Sequence, residues 1–183
     1  MLEATAGFRL SSRLHILNPP RLITTPRPMT APLAEEFPPV PPETLSFGEV
    51  SLRFVKVLPG EPSRGLVPYY HFRILLSDGS DVGHINFRVG DTEHVRVCAG
   101  HIGFEILEPF RGHSYAFSAC RSISPFVRSI YDACTITCDP DNFASRRTIE
   151  RLGASFVDEV PVPPHDPHYQ RGSRSKRRYR WIP

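Results

Sequence analysis

Nine of the chain's 20 prolines fall between residues 19 and 42, in PPRLITTPRPMTAPLAEEFPPVPP. Each proline removes a backbone donor and fixes φ, so this run sustains neither a helix nor a sheet ladder. Any core that the 183 residues build must come from the chain beyond residue 42. Residues 1–45 therefore read as an extended, disordered segment, and residues 46–183 as one domain with order beginning near Gly48. The first 28 residues carry Arg, Ser and Thr and few acids. That composition suits a transit peptide. It suits equally a mis-assigned start, because Met29 opens MTAPLAEEF.

The net charge of +3 is unevenly spread. Residues 1–34 hold four Arg and one acid, residues 171–180 hold six basic residues and no acid, and the rest has 12 basic and 18 acidic residues. An acidic body argues against a globally basic nucleic-acid binder. The basic run RGSRSKRRYR reads as a charged edge strand that resists sheet-to-sheet aggregation. Its other reading is an RNA clamp in which Arg and aromatic residues interleave. No apolar run approaches the ~20 residues that span a bilayer, so a cytoplasmic chain without a membrane partner is expected. The four cysteines, 98, 120, 134 and 138, form no CxxC pair. Buried reduced thiols and no metal centre are expected. Asp139 and Asp141 read as helix-start residues, because a magnesium site wants more oxygen ligands.

Alternation places strands in EVSLRFVKVL, YYHFRILL from Tyr69, VGHINFRV from Val82 and GHIGFEIL from Gly100, with DGSD and DTEH as turns. After Arg111 the spacing of Ala116, Cys120, Ile123, Val127 and Ile130 marks one apolar helical face. Pro125 should kink that helix, or end it and restart it with Ser124 as cap. ACTITC is a short buried strand with Cys134 and Cys138 on one face. In DPDNFASRRTIERLG, Asp139 can cap, Pro140 suits the first turn and Gly153 stops the helix. ASFVDEVPV and KRRYRWI are the last strands, joined by a loop. Four strands, helix, strand, helix and two strands pack most economically around one largely antiparallel sheet, an α+β fold.

The turn RGHSYA matters for chemistry. A helix amino terminus offers unpaired N–H groups and the positive end of a dipole, and glycine ahead of it lets donors converge on an anion. GHIGFEILEPFRGHSYA, followed downstream by TCDPDNFASRRTIERLGASF, resembles the GNAT superfamily of N-acetyltransferases. Members show a strand ending in Arg/Gln-x-x-Gly-x-Gly/Ala, then a block with an Asn, a small residue and a Leu-Gly helix stop. The resemblance covers residues 82–160. Before residue 82 it is loose, with no room for the two helices that usually follow the family's first strand.

The resemblance implies a mixed, mainly antiparallel sheet with a splayed parallel strand pair and flanking helices. Acetyl-coenzyme A would lie between the strand ending at Leu107 and the strand 133–138. Its pyrophosphate would sit on backbone N–H groups of Arg111, Gly112, His113, Ser114, Tyr115 and Ala116, with His113 also touching the cofactor. Its pantetheine amides would pair near Ile106 and Leu107. Asn142 matches the Asn that contacts the cofactor arm and shares a helical face with Ser145, Ile149 and Leu152. Ser114 stands where the family has a central Gly. Ile149 stands where many members have a Tyr that protonates the leaving thiolate, so Ser145, water or an acceptor group takes that role. A Glu on the first of the splayed strands serves several members as base, and here it is Glu105, with His101 as a secondary proton relay. The acceptor would be an amine-bearing small molecule or peptide, and members often dimerise through exposed strand edges, which implies a homodimer. Two other readings stand beside the enzyme: a non-catalytic acyl-coenzyme A or partner binder of the same fold, and a ribosome-associated module using residues 171–180.

Overall fold

The computed structural model describes residues 39–183. Most of the proline run and the Met29 alternative lie outside the described residues. Within the segment expected to be disordered, Leu45 is buried and its carbonyl accepts from Leu52 N at 2.8 Å, so packing starts before Gly48.

The strands are β1 (Ser46–Phe47), β2 (Val50–Leu58), β3 (Tyr69–Leu76), β4 (Asp81–Arg88), β5 (Ile102–Ile106), β6 (Cys134–Cys138), β7 (Ser155–Pro161) and β8 (Ser175–Trp181). The α-helices are α1 (Tyr115–Arg128), α2 (Phe143–Arg151) and the short α3 (Pro167–Gln170). All eight strands form one sheet in the order β1-β2-β3-β4-β5-β6-β8-β7. Every pair is antiparallel except β5 and β6, which run parallel and share one register pair, Ile102 with Ile136. This is the expected α+β sheet with a splayed parallel pair. No helix among the described residues is long and apolar enough to cross a membrane.

The core lies between α1 and the sheet. Phe126 of α1 meets Tyr70 edge-on at 4.9 Å and Phe87 at 5.5 Å. Pro125 does not end the helix: α1 runs through it, and Ser124 is buried in mid-helix rather than capping a restart. A proline inside a helix costs about 3 kcal/mol. Burying Ile123, Phe126 and Val127 around it contributes about 1.5–3 kcal/mol each, so packing prevails.

Other local expectations shift. DTEH does more than turn, because His94–Ala99 form a π-helical segment that buries Val95, Cys98 and Ala99. Asp139 and Pro140 precede α2 without starting it. Asn142 is the cap, and Asp139 instead accepts from Lys176 Nζ and Ser173 Oγ. The basic strand β8 is interior, and β7 is the edge. Arg178 makes two bonds to Asp158, and Lys176 pairs with Asp139. The link from β2 to β3 carries only a 3-10 turn, Pro62–Arg64, in keeping with a segment too short for two longer helices. All four cysteines are buried and unpaired. Burial pushes Cys98 and Cys134 up to about 12 and Cys138 up to about 11, which leaves no thiolate for chemistry near neutral pH.

Candidate functional site: an open strand edge beside an unpaired helix mouth

Gly100 makes the splay. It has φ +64°, and a Cβ there would stand 3.0 Å from Thr135 O and 3.2 Å from Ile136 Cα. Without a side chain, the chain enters β5 in contact with β6, and beyond Ile102 the two strands part. His101 seals the pivot. It is fully buried, and its Nδ1 accepts from Thr135 N at 3.0 Å. It is a structural residue, not the expected proton relay.

Leu107 N donates to Val82 O and Arg88 N donates to His101 O. In an antiparallel ladder, alternate residues pair with the same neighbour. The odd-numbered residues of β5 therefore bond to β4, and the N–H groups of Phe104 and Ile106 face the gap. Of the two residues expected near the pantetheine amides, Ile106 keeps an N–H free of the sheet. Leu107 does not, because its N–H is turned to β4.

A groove of about 680 Å³ opens along that edge, walled by the end of β5, the turn before α1, and α2. Glu105, Ile106, Arg111 and Gly112 line it, as do Ser114, Tyr115, Ala116, Asn142 and Ser145. His113 does not line it: it is exposed and stacks on Tyr115 with ring centroids 5.4 Å apart. Among the described residues, no acceptor meets the backbone N–H groups of Gly112 through Phe117. Six consecutive donors at a helix mouth form an anion cradle. The contrast with α2 is direct, since Asn142 Oδ1 already accepts from Ser145 N at 3.0 Å.

Ser114 is the only described residue other than glycine with positive φ, at 64°. Left-handed backbone costs an L-residue roughly 1–2 kcal/mol. Its hydroxyl accepts from Arg151 Nη1 at 2.9 Å, which returns part of that cost. Ser114→Gly is therefore expected to stabilise the protein by about 0.5–1 kcal/mol, raising the melting temperature by about 1–4 °C. A lower melting temperature would show that the Arg151 bond outweighs the strain.

Helix α2 meets the groove with Asn142 and Ser145 of the face its sequence marked, but not with Ile149 and Leu152. Ile149 is fully buried and Leu152 nearly so, both within the core. Ala144, Arg147, Thr148 and Arg151 join Ser145 along the groove. The two arginines escaped the sequence reading, although their i, i+4 spacing places them together. Arg151 lies 4.2 Å from the Phe117 ring centroid. Arg111 donates from Nε to Ile106 O at 3.1 Å. The cradle thus carries three cations on its rim.

On the other face of β5, Glu105 lies in register with His84. His84 is half-buried, and burial together with neighbouring His71 holds its pKa below the usual histidine value. Away from this face, His94, Asp166 and His168 bring ligand-type atoms within 4.8 Å of one another. Asp166 already receives His94 Nδ1 at 2.7 Å. Burial and then the nearby Lys176 ammonium hold His168 down to about 4.

A family model described as Acetyltransferase (GNAT) domain matches residues 32–155, well over half of the chain. No curated protein gives a significant match. Among solved structures, a ribosomal L7/L12 alpha-N-protein acetyltransferase in an apo crystal form superposes with a TM-score of 0.54 at 14% identity, over 77% of this chain and 94% of that one. Ribosomal-protein-S5-alanine Acetyltransferase from Vibrio fischeri gives 0.52 at 10% identity, over 76% and 96%. A GNAT-family acetyltransferase from Bacillus anthracis gives 0.48 at 23% identity, over 61% of this chain and 65% of that one. The first two likenesses concern the fold alone.

Proposed function

The chain belongs to the GNAT family of acetyltransferases, and from that premise we propose that it moves an acetyl group from acetyl-coenzyme A to a primary amine by direct attack. The observation that carries this reading is the row of six unpaired N–H groups from Gly112 to Phe117. They suit a pyrophosphate, with Arg111, Arg147 and Arg151 adding charge around it. The open edge at Phe104 and Ile106 would pair with the pantetheine amides. The Ile106 N–H would polarise the thioester oxygen, and Asn142 would offer its amide N–H₂ to the cofactor arm.

Glu105 would take one proton from the attacking amine. The amine nitrogen bonds to the carbonyl carbon as the carbon–sulfur bond breaks, and the sulfur leaves as thiolate. Ser145, on the groove wall, or a water would protonate it. Ile149 is buried and has no proton to give. The names of the two fold neighbours refer to ribosomal-protein amines, in keeping with an amine acceptor.

Calorimetric titration of the full chain with acetyl-coenzyme A tests the donor. Micromolar binding is expected, weakened at least about tenfold in Arg111→Glu and in Arg147→Glu, because each reverses a charge beside phosphate. Binding without thiol release on any amine would favour a non-catalytic acyl-coenzyme A binder. No binding would overturn the donor.

A further inference from the structure

A second cavity of about 190 Å³ adjoins the groove and shares Phe104, Asn142 and Ser145 with it. Arg88, Lys176 and Asp139 supply its charged walls, and His168 adds an imidazole that is neutral near pH 7. Two of these engage each other. Lys176 Nζ lies 2.7 Å from Asp139 Oδ1.

Arg88 is different. Among the described residues no carboxylate pairs with it. Its guanidinium meets only the carbonyls of Ala99 and Gly100, at 3.4 and 3.5 Å, and the Tyr69 ring at 5.8 Å. Those carbonyl contacts are at the outer limit of a hydrogen bond. Burial holds the Arg88 pKa below its usual value. A desolvated guanidinium without a counter-ion is costly, and its five donors form a planar fork suited to a carboxylate. The chain also makes room for it: a Cβ at Gly103 would stand 2.9 Å from Arg88 Nη1. The fork therefore lies over Gly103, two residues before Glu105 on the same face of β5.

We propose that Arg88 is the anion-binding half of the acceptor site, and that the acceptor is a free α-amino acid whose carboxylate docks on Arg88 while its amine reaches Glu105. Two residues along a strand span about 7 Å. An amine and a carboxylate on one carbon cover that span with one hydrogen bond of about 2.9 Å at each end. A peptide amino terminus has no carboxylate beside its amine and leaves Arg88 unpaired. This inference rests on the acetyl-transfer reading.

The test pairs each proteinogenic amino acid with its carboxamide, at fixed acetyl-coenzyme A, and follows free thiol. At least one acid should be acetylated with a kcat/KM at least tenfold above its amide. Arg88→Gln should remove that preference by lowering the acid's kcat/KM about 10–100-fold, with the amide nearly unchanged, as loss of a charge-assisted fork predicts. Arg88→Lys should restore part of it. The melting temperature in each amino acid without donor gives an activity-free reading, with an upward shift in the wild type that Arg88→Gln abolishes. Equal use of acid and amide, equal loss for both in Arg88→Gln, or no acid giving turnover or a shift overturns the proposal. Calorimetric acetyl-coenzyme A binding in the same samples separates that failure from failure of the donor reading.

Discussion

Glu105→Gln is expected to lower turnover by about 100-fold or more, the usual worth of a positioned general base. Affinity for acetyl-coenzyme A should stay within about twofold, because glutamine keeps the shape and removes only proton acceptance. Glu105 lies on the groove wall where β5 leaves β6. It is exposed and therefore reachable by an incoming amine. Calorimetry measures the affinity and thiol release measures the turnover. Unchanged turnover would remove Glu105 as the base. Equal loss of binding and turnover would make it a groove residue only.

Acidification from pH 7 to pH 4 is expected to cost the fold about 3 kcal/mol through His101 alone. Burial holds His101 down to about 4. Protonation at Nδ1 would also set an N–H against the Thr135 N–H that it now accepts. The folded pKa lies below the unfolded value of 6.5, so the unfolded chain binds the proton first. The stabilisation is whole above that unfolded value and is lost as pH falls toward the folded one. His168, also held to about 4 by burial and then by Lys176, adds in the same direction. The lowered carboxylates, Asp81 and Asp158 among them, lose their share only below the ordinary carboxylate range of about 4. The window from about pH 6.5 to about pH 5 therefore isolates the histidines. Urea unfolding at pH 7, 6 and 5 should show steadily falling midpoints. A flat series would mean that water or a backbone shift accommodates a charged His101.

Strand positions were readable because alternation is local. YYHFRILL is β3 to the residue. The Gly-bearing turn was readable as an anion cradle for the same reason: a glycine and a helix start are neighbours in the chain. Pro125 was not readable, since its cost is local while the aromatic packing that outweighs it comes from β3 and β4. Ile106 and Leu107 looked alike as a pair. Only the register of β4 decides which N–H is free. Arg147 and Arg151 drew no reading from the sequence, because their place on the groove depends on how α2 sits against α1, where Arg151 meets Phe117 and Ser114.

The sequence by itself determined the order of the longer strands and helices, the family resemblance and the Gly-bearing turn ahead of α1, and it named Glu105 as the candidate base. Each is written in contiguous residues, whose periodicity and turn chemistry act over a few bonds. The tertiary structure alone decided where β5 parts from β6, which face of α2 meets the groove, and that Arg88 has no carboxylate partner among the described residues. Those facts depend on groups far apart in the chain. Gly100 against Thr135 and Arg88 over Gly103 are contacts that exist only once the sheet has formed.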